Sequence, residues 1–147
     1  MIESLNIDNV KDCTSLAHKL WPDSEYQELL EEFMDMLSSE QNHVFLYYEG
    51  DDTKEYLGFL HLSLRTDYVE GSLSSPVAYI EGIYVEENHR RRGIAGALVK
   101  EAEEWAREKG CSEMGSDCEL TNNLSEEFHK KIGFKEANRL ICFIKEI

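Results

Sequence analysis

The stretch from Tyr79 to Lys109, YIEGIYVEENHRRRGIAGALVKEAEEWAREK, constrains the fold more than any other part of the chain. Its first seven residues are apolar, β-branched and aromatic apart from Glu81 and Gly82, which predicts a buried strand. A polar turn and three arginines follow, then Gly93-Ile94-Ala95-Gly96. Beyond them Ile94, Leu98, Ala102 and Trp105 recur at helical spacing. A strand feeding a helix through a basic, glycine-containing loop leaves backbone N–H groups free at the positive end of the helix dipole. Such a turn binds anions, phosphate above all. No Gly-Lys-Ser/Thr is present, so it is not a Walker loop.

The rest of the chain supplies the partners this unit needs. Met1–Leu5 reads as a short strand, with Asp8 as the cap of a helix whose apolar face is Val10, Cys13, Leu16, Ala17 and Leu20. Trp21-Pro22 ends that helix. A second helix carries Tyr26, Leu29, Leu30, Phe33, Met36 and Leu37 on one face. Val44–Tyr48 and Tyr56–Leu64 form a hairpin around Glu49-Gly50-Asp51-Asp52. A long loop, Arg65 to Pro76, precedes the central strand, and loops of that length are often functional. After Gly110, Cys111–Asp117 is a strand parallel to Tyr79–Val85, because a helix joins them. Asn122–Lys131 is a short helix, and Arg139–Ile147 alternates as a final strand. The expectation is one α/β domain spanning residues 1–147, a mixed sheet flanked by helices.

Charge narrows the function. The net charge is −15, which argues against a nucleic-acid partner. Positive charge gathers at His89 and the three arginines, while no Lys or Arg occurs from Leu20 through Thr53. An acidic surface of this kind suits solubility, and it also draws cationic small molecules. No apolar run is long enough to cross a membrane and the N-terminus lacks a signal-peptide core, so a cytoplasmic location is expected. Cys13, Cys111, Cys118 and Cys142 show no metal-binding spacing, and no metal is expected.

Arg90-x-x-Gly93-x-Ala95 resembles the acyl-CoA pyrophosphate loop of the GNAT N-acetyltransferase superfamily, and the order of elements is similar to that fold along the whole chain. That fold has a mixed, mostly antiparallel sheet with acyl-CoA at a splayed parallel strand pair. Leu20-Trp21-Pro22, the segment Arg65–Gly71, Ser74–Val85 and Ser116-Asp117 are similar to aminoglycoside 6′-N-acetyltransferases. The resemblance implies that Trp21, Tyr68, Glu81 and Asp117 contact an aminosugar. It implies that the strand end Ile83-Tyr84-Val85 and Asn122 meet the pantetheine, and that Arg91, Arg92, Gly93, Ile94, Ala95 and Gly96 hold the pyrophosphate of acetyl-CoA. Glu81 interrupts an apolar strand, which is costly unless the carboxylate is paired or at an opening. It is the candidate base, with a structural salt bridge as the alternative. Asp117 reads equally as a turn residue and Tyr68 as loop packing. His129 stands where many GNAT enzymes carry a tyrosine acid. Acetylation of polyamines, other small amines or peptides, or a non-catalytic acyl-CoA-sensing or drug-binding module on the same fold, are the rival functions. A homodimer covering the C-terminal strand is compatible with all of them.

Overall fold

A computed structural model describes residues 1–147. Strands β1 (Ile2–Ser4), β2 (Asn42–Glu49), β3 (Glu55–Arg65), β4 (Val77–Val85) and β5 (Met114–Ser116) form one sheet in the order β1-β2-β3-β4-β5. The first four are mutually antiparallel, and β5 joins β4 in parallel. Helices α1 (Val10–Leu20) and α2 (Tyr26–Met36) cover one face, and α3 (Ile94–Glu108) covers the other. α4 (Asn123–Lys131) follows β5.

Strand alternation divides the apolar residues between two cores. Leu60, Leu62, Ala78 and Ile80 pack with Leu98, Ala102 and Trp105 of α3. On the opposite face Val44, Leu46 and Phe59 meet Cys13, Leu16, Ala17 and Phe33 of α1 and α2. α1 and α3 thus use the apolar stripes read from the sequence, whereas in the α2 stripe Leu29 and Phe33 are buried and Tyr26 and Leu37 are exposed.

One irregularity positions the site. His61 pairs with Gly82 and Leu62 pairs with Ile80, so Glu81 is the extra residue of a β-bulge. Bulges re-aim side chains and often flank active sites. Here Ile80 packs in the α3 core, whereas Gly82 faces the Trp21 indole on the other side. A Cβ at Gly82 would lie 2.6 Å from Trp21 Cη2. Gly82→Ala is therefore expected to cost about 1–3 kcal/mol through overpacking, measured by urea denaturation; a loss below the error of that measurement would show that Trp21 is free to move aside.

Two expectations need correction. Residues 139–147 form no strand: a strand requires a hydrogen-bonding neighbour, and this segment has none within its own chain. Leu140, Ile141, Phe143, Ile144 and Ile147 are all exposed. Asp8 does not cap α1. The N-cap is Asn9, whose side chain is occupied elsewhere, donating to Glu3 and to the Ser4 carbonyl.

Candidate active site

The parallel pairing of β4 with β5 covers only Ala78–Ile80 against Met114–Ser116, so beyond Ile80 the two strands part. Ala78 N–H donates to Glu113 O, toward β5, whereas Glu86 N–H donates to Leu57 O beside β3. Amide direction alternates along a strand, and the bulge at Glu81 shifts that alternation by one. The Ile83 and Val85 N–H groups therefore point into the splay, and that of Tyr84 turns toward β3. Of the three strand-end residues expected to meet pantetheine, Ile83 and Val85 have this direction and Tyr84 does not.

The basic turn continues from this strand end. Arg90 Nε donates to Val85 O at 3.0 Å and ties the loop back to β4. Arg91 has φ 63° and Gly93 φ 82°, two left-handed residues that coil the backbone ahead of α3. Gly93 is the N-cap and has no side chain to satisfy the first turn of the helix, so the amides of Ile94, Ala95 and Gly96 have no acceptor there. Added Cβ atoms at Gly93 and Gly96 would meet nothing within 4 Å, leaving room for an anion. Arg92 is drawn aside to Glu49 at 2.8 Å, while Arg91 takes part in no ion pair. The cradle has the donors, the dipole and the space that a diphosphate requires.

The Glu81 carboxylate faces away from that cradle. Arg65 clamps it through Nε (3.0 Å) and Nη2 (2.9 Å to each oxygen), and Ser63 Oγ donates to Oε1. Arg65 also stacks 3.5 Å above the Tyr79 ring, and the Tyr79 hydroxyl donates to Asp117. Burial and that bond to Asp117 push the Tyr79 hydroxyl well above its usual range, so it stays a donor. Glu81 and Asp117, far apart in the chain, thus belong to one rigid network. The sequence reading missed its connectors, Ser63, Arg65 and Tyr79, for which their positions along the strands give no signal. Glu81 Oε2 receives one protein hydrogen bond and retains acceptor capacity.

The remaining candidates are more loosely held. Trp21 stacks edge-on to Phe59 and against Gly82. Tyr68 is 76% exposed, its oxygen accepting only from Gly71 N–H at 3.3 Å. Asn122 caps α4 by accepting from Ser125 N–H, so its amide N–H groups alone remain free. His129 Nδ1 lies 2.6 Å from the Ser125 carbonyl, which can only accept; Nδ1 therefore carries the proton and Nε2 accepts from Ser116 Oγ at 2.7 Å. His129 is a latch between α4 and β5 in this arrangement. No group of three or more His, Cys, Asp or Glu is arranged to hold a metal ion.

A splayed parallel pair beside an anion cradle at a strand–helix turn agrees with the family comparison: the acetyltransferase (GNAT) family model matches residues 8–134. The chain belongs to the GNAT family. Curated GNAT relatives cover almost its whole length. It is 39% identical over 139 residues to an aminoglycoside N(6′)-acetyltransferase type 1 of Acinetobacter haemolyticus, covering 95% of this chain and 93% of the relative. With the enzyme of that name from Serratia marcescens the identity is 35% over 147 residues, covering 100% and 99%. Among solved structures it is similar to AAC(6′)-Iy bound to the bisubstrate analogue CoA-S-monomethyl-acetylneamine, with a TM-score of 0.93 and 33% identity, over 100% of this chain and 98% of that one. The apo AAC(6′)-Ig of Acinetobacter haemolyticus gives 0.92 and 34%, over 100% and 99%. Acetyl-CoA is the acetyl donor of GNAT enzymes, and the Arg91–Gly96 cradle fits its diphosphate.

Proposed function

We propose that this GNAT enzyme acetylates the 6′-amine of aminoglycosides. The observation that carries the reading is the Glu81–Arg65–Tyr79–Asp117 network, which sets two carboxylates beside the splay where the thioester would lie. An aminoglycoside is a polycation, and carboxylates bind its ammonium groups by charge-assisted hydrogen bonds. The relatives named for this reaction support the same acceptor.

In the reaction the amine must first lose a proton, since aliphatic amines titrate between about 8 and 10.4. Glu81 Oε2 takes that proton through one water, and Arg65 and Ser63 fix the carboxylate's direction. The free amine then attacks the thioester carbonyl. The new N–C bond forms as the oxyanion develops opposite the Val85 N–H. Collapse breaks the C–S bond and CoA leaves as a thiolate, tolerable without a protein acid because thiols titrate near 8.5; the second proton of the attacking nitrogen passes through solvent to that thiolate, leaving a neutral amide and CoA thiol. His129 holds its proton toward Ser125 and takes no part in this step. Trp21 and Tyr68 line the acceptor, and Asn122 donates to pantetheine.

We place the enzyme in the cytoplasm, in keeping with its four free cysteines; no helix is long and apolar enough to cross a membrane. It works as a homodimer in which residues 139–147 pair with a second copy. Removing residues 139–147 should then halve the mass measured by sedimentation equilibrium, and an unchanged mass would place the interface elsewhere.

The deciding experiment is thiol release from acetyl-CoA with kanamycin- and tobramycin-type drugs, spermidine and short peptides as acceptors. Turnover confined to drugs with a free 6′-amine is expected. Turnover with spermidine or peptides instead would replace the acceptor, and acetyl-CoA binding without any turnover would make the chain a sensor.

A further inference from the structure

The loop from Thr66 to Pro76 carries Tyr68 and has little apolar packing of its own. Val69 is its one buried residue, set against Val77 and Tyr79, while Leu73 is 98% exposed. Its two ends meet, since Ser75 Oγ donates to Thr66 O at 3.1 Å. Within it, the Ser72 amide and hydroxyl both donate to Val69 O and close a turn. Compact surface loops with close ends are frequently functional. Tyr68 lines the same cavity as Arg65, Tyr79 and Asp117, so the placing of this loop bears on the acceptor side of the site.

Glu113 ties the loop to the sheet. It stands just ahead of β5, and its carbonyl accepts from Ala78 N–H of β4 at 3.3 Å. Its side-chain Oε1 accepts from Leu73 N–H at 2.8 Å and from Ser74 Oγ. The Ser74 hydroxyl, with the Leu73 amide, holds the carboxyl below the usual carboxylate range, and no cation shares in this. The charge is thus directed at the loop, and bonds to an ionised acceptor are roughly twice as strong as neutral ones. The loop's other tether, Asn138 Nδ2 to Glu70 Oε1 at 2.9 Å, is exposed and comes from a segment outside the sheet.

We propose that Glu113 is a positioning residue for the acceptor, holding the loop so that Tyr68 faces a sugar ring bound between Glu81 and Asp117. This rests on the acceptor reading above, in which Tyr68 lines the bound drug. Glu113 itself touches neither substrate. With Leu73 and Ser74 pinned to the sheet and Ser75 bonded to Thr66, the limb bearing Tyr68 starts from a set place. Without the pin the loop samples other arrangements, and apparent affinity falls by the fraction of time it is correctly placed. Acetyl-CoA is indifferent to this, because Glu113 lies at the opposite end of β5 from the splay.

The test is calorimetric binding of neamine, an aminoglycoside of two rings, to the full chain, with thiol release from acetyl-CoA measured alongside. Glu113→Ala should weaken neamine binding about tenfold, the loop being correctly placed roughly a tenth of the time, and leave KM for acetyl-CoA within about twofold. Glu113→Gln keeps an acceptor oxygen for Leu73 and Ser74 and should bind within about threefold of wild type. Ser74→Ala cuts one bond from the loop side with Glu113 in place, and should lose about threefold; it carries the test if Glu113→Ala does not fold. In a Tyr68→Ala background, Glu113→Ala should add less than about twofold, since the residue whose place it sets is gone. Wild-type binding by both Glu113→Ala and Ser74→Ala would overturn the proposal. So would a glutamine variant as weak as the alanine one, which would make Glu113 a mere attractor of cations, or a tenfold loss that persists without Tyr68. Tyr68→Ala binding neamine like the wild type would overturn the acceptor role of Tyr68 and the proposal with it. Glu113-dependent binding without any acetyl transfer would overturn the catalytic reading and keep the pin.

Discussion

Glu81→Gln is expected to lower kcat/KM for the aminoglycoside about 10²- to 10³-fold, the usual size of a general-base contribution. KM for acetyl-CoA should stay within about twofold, because the carboxylate faces away from the diphosphate cradle. Glutamine keeps the volume and an oxygen that Arg65 can still reach, so the thermal midpoint should move only a few degrees; the pair is partly exposed, with side-chain accessibilities of 41% and 28%. Arg65→Lys adds a discriminating result. Lysine preserves charge but not the two-pronged clamp, so Glu81 keeps its chemistry and loses its direction. A smaller loss, about tenfold and mostly in kcat, is expected. Steady-state thiol release with saturating acetyl-CoA measures both variants, and full activity in Glu81→Gln would leave the Arg65–Glu81 pair a purely structural salt bridge.

Gly96→Asp should move stability and activity in opposite directions. Gly96 lies in the first turn of α3, where an added Cβ has open space. Replacing glycine in a helix removes an entropic cost, and a carboxylate at a helix N-terminus interacts favourably with the dipole. Together these are worth about 1 kcal/mol, or a rise of roughly 2–4 °C in Tm for a chain of this size. The same carboxylate would occupy the turn proposed to seat the CoA diphosphate, and would repel it. KM for acetyl-CoA should rise at least about 50-fold, with the fold intact. A stabilised protein with unchanged acetyl-CoA affinity would move the cofactor away from this turn.

The strand–loop–helix around the arginines was legible because its signals are local: apolar run, glycine, helical period. The hairpin at Gly50 and the two-helix segment were legible for the same reason. Ser63, Arg65 and Tyr79 were not, since their roles follow from the neighbours that β3, β4 and β5 bring together, and nothing along the chain marks that meeting. Glu81 was found as a charge in an apolar strand, but the bulge that turns it was invisible, because one unpaired residue leaves no pattern. The alternation in residues 139–147 reads as a final strand of this sheet, and the segment forms none, for alternation names a face to bury without naming the partner.

The extra residue at position 81 also carries an evolutionary consequence. It aims the Glu81 carboxylate, the proposed acceptor-binding group, to one face and, by the same one-residue offset, turns the amides of Ile83 and Val85 toward the splay, the proposed seat of the donor thioester. Losing or gaining a residue between Val77 and Gly82 would therefore spoil recognition of both substrates at once. Acceptor preference can drift through side-chain replacement on the surrounding helices and loops, while the length of β4 is locked. Descendants with new drug ranges should differ from this chain by substitutions there, and never by a shortened or lengthened central strand.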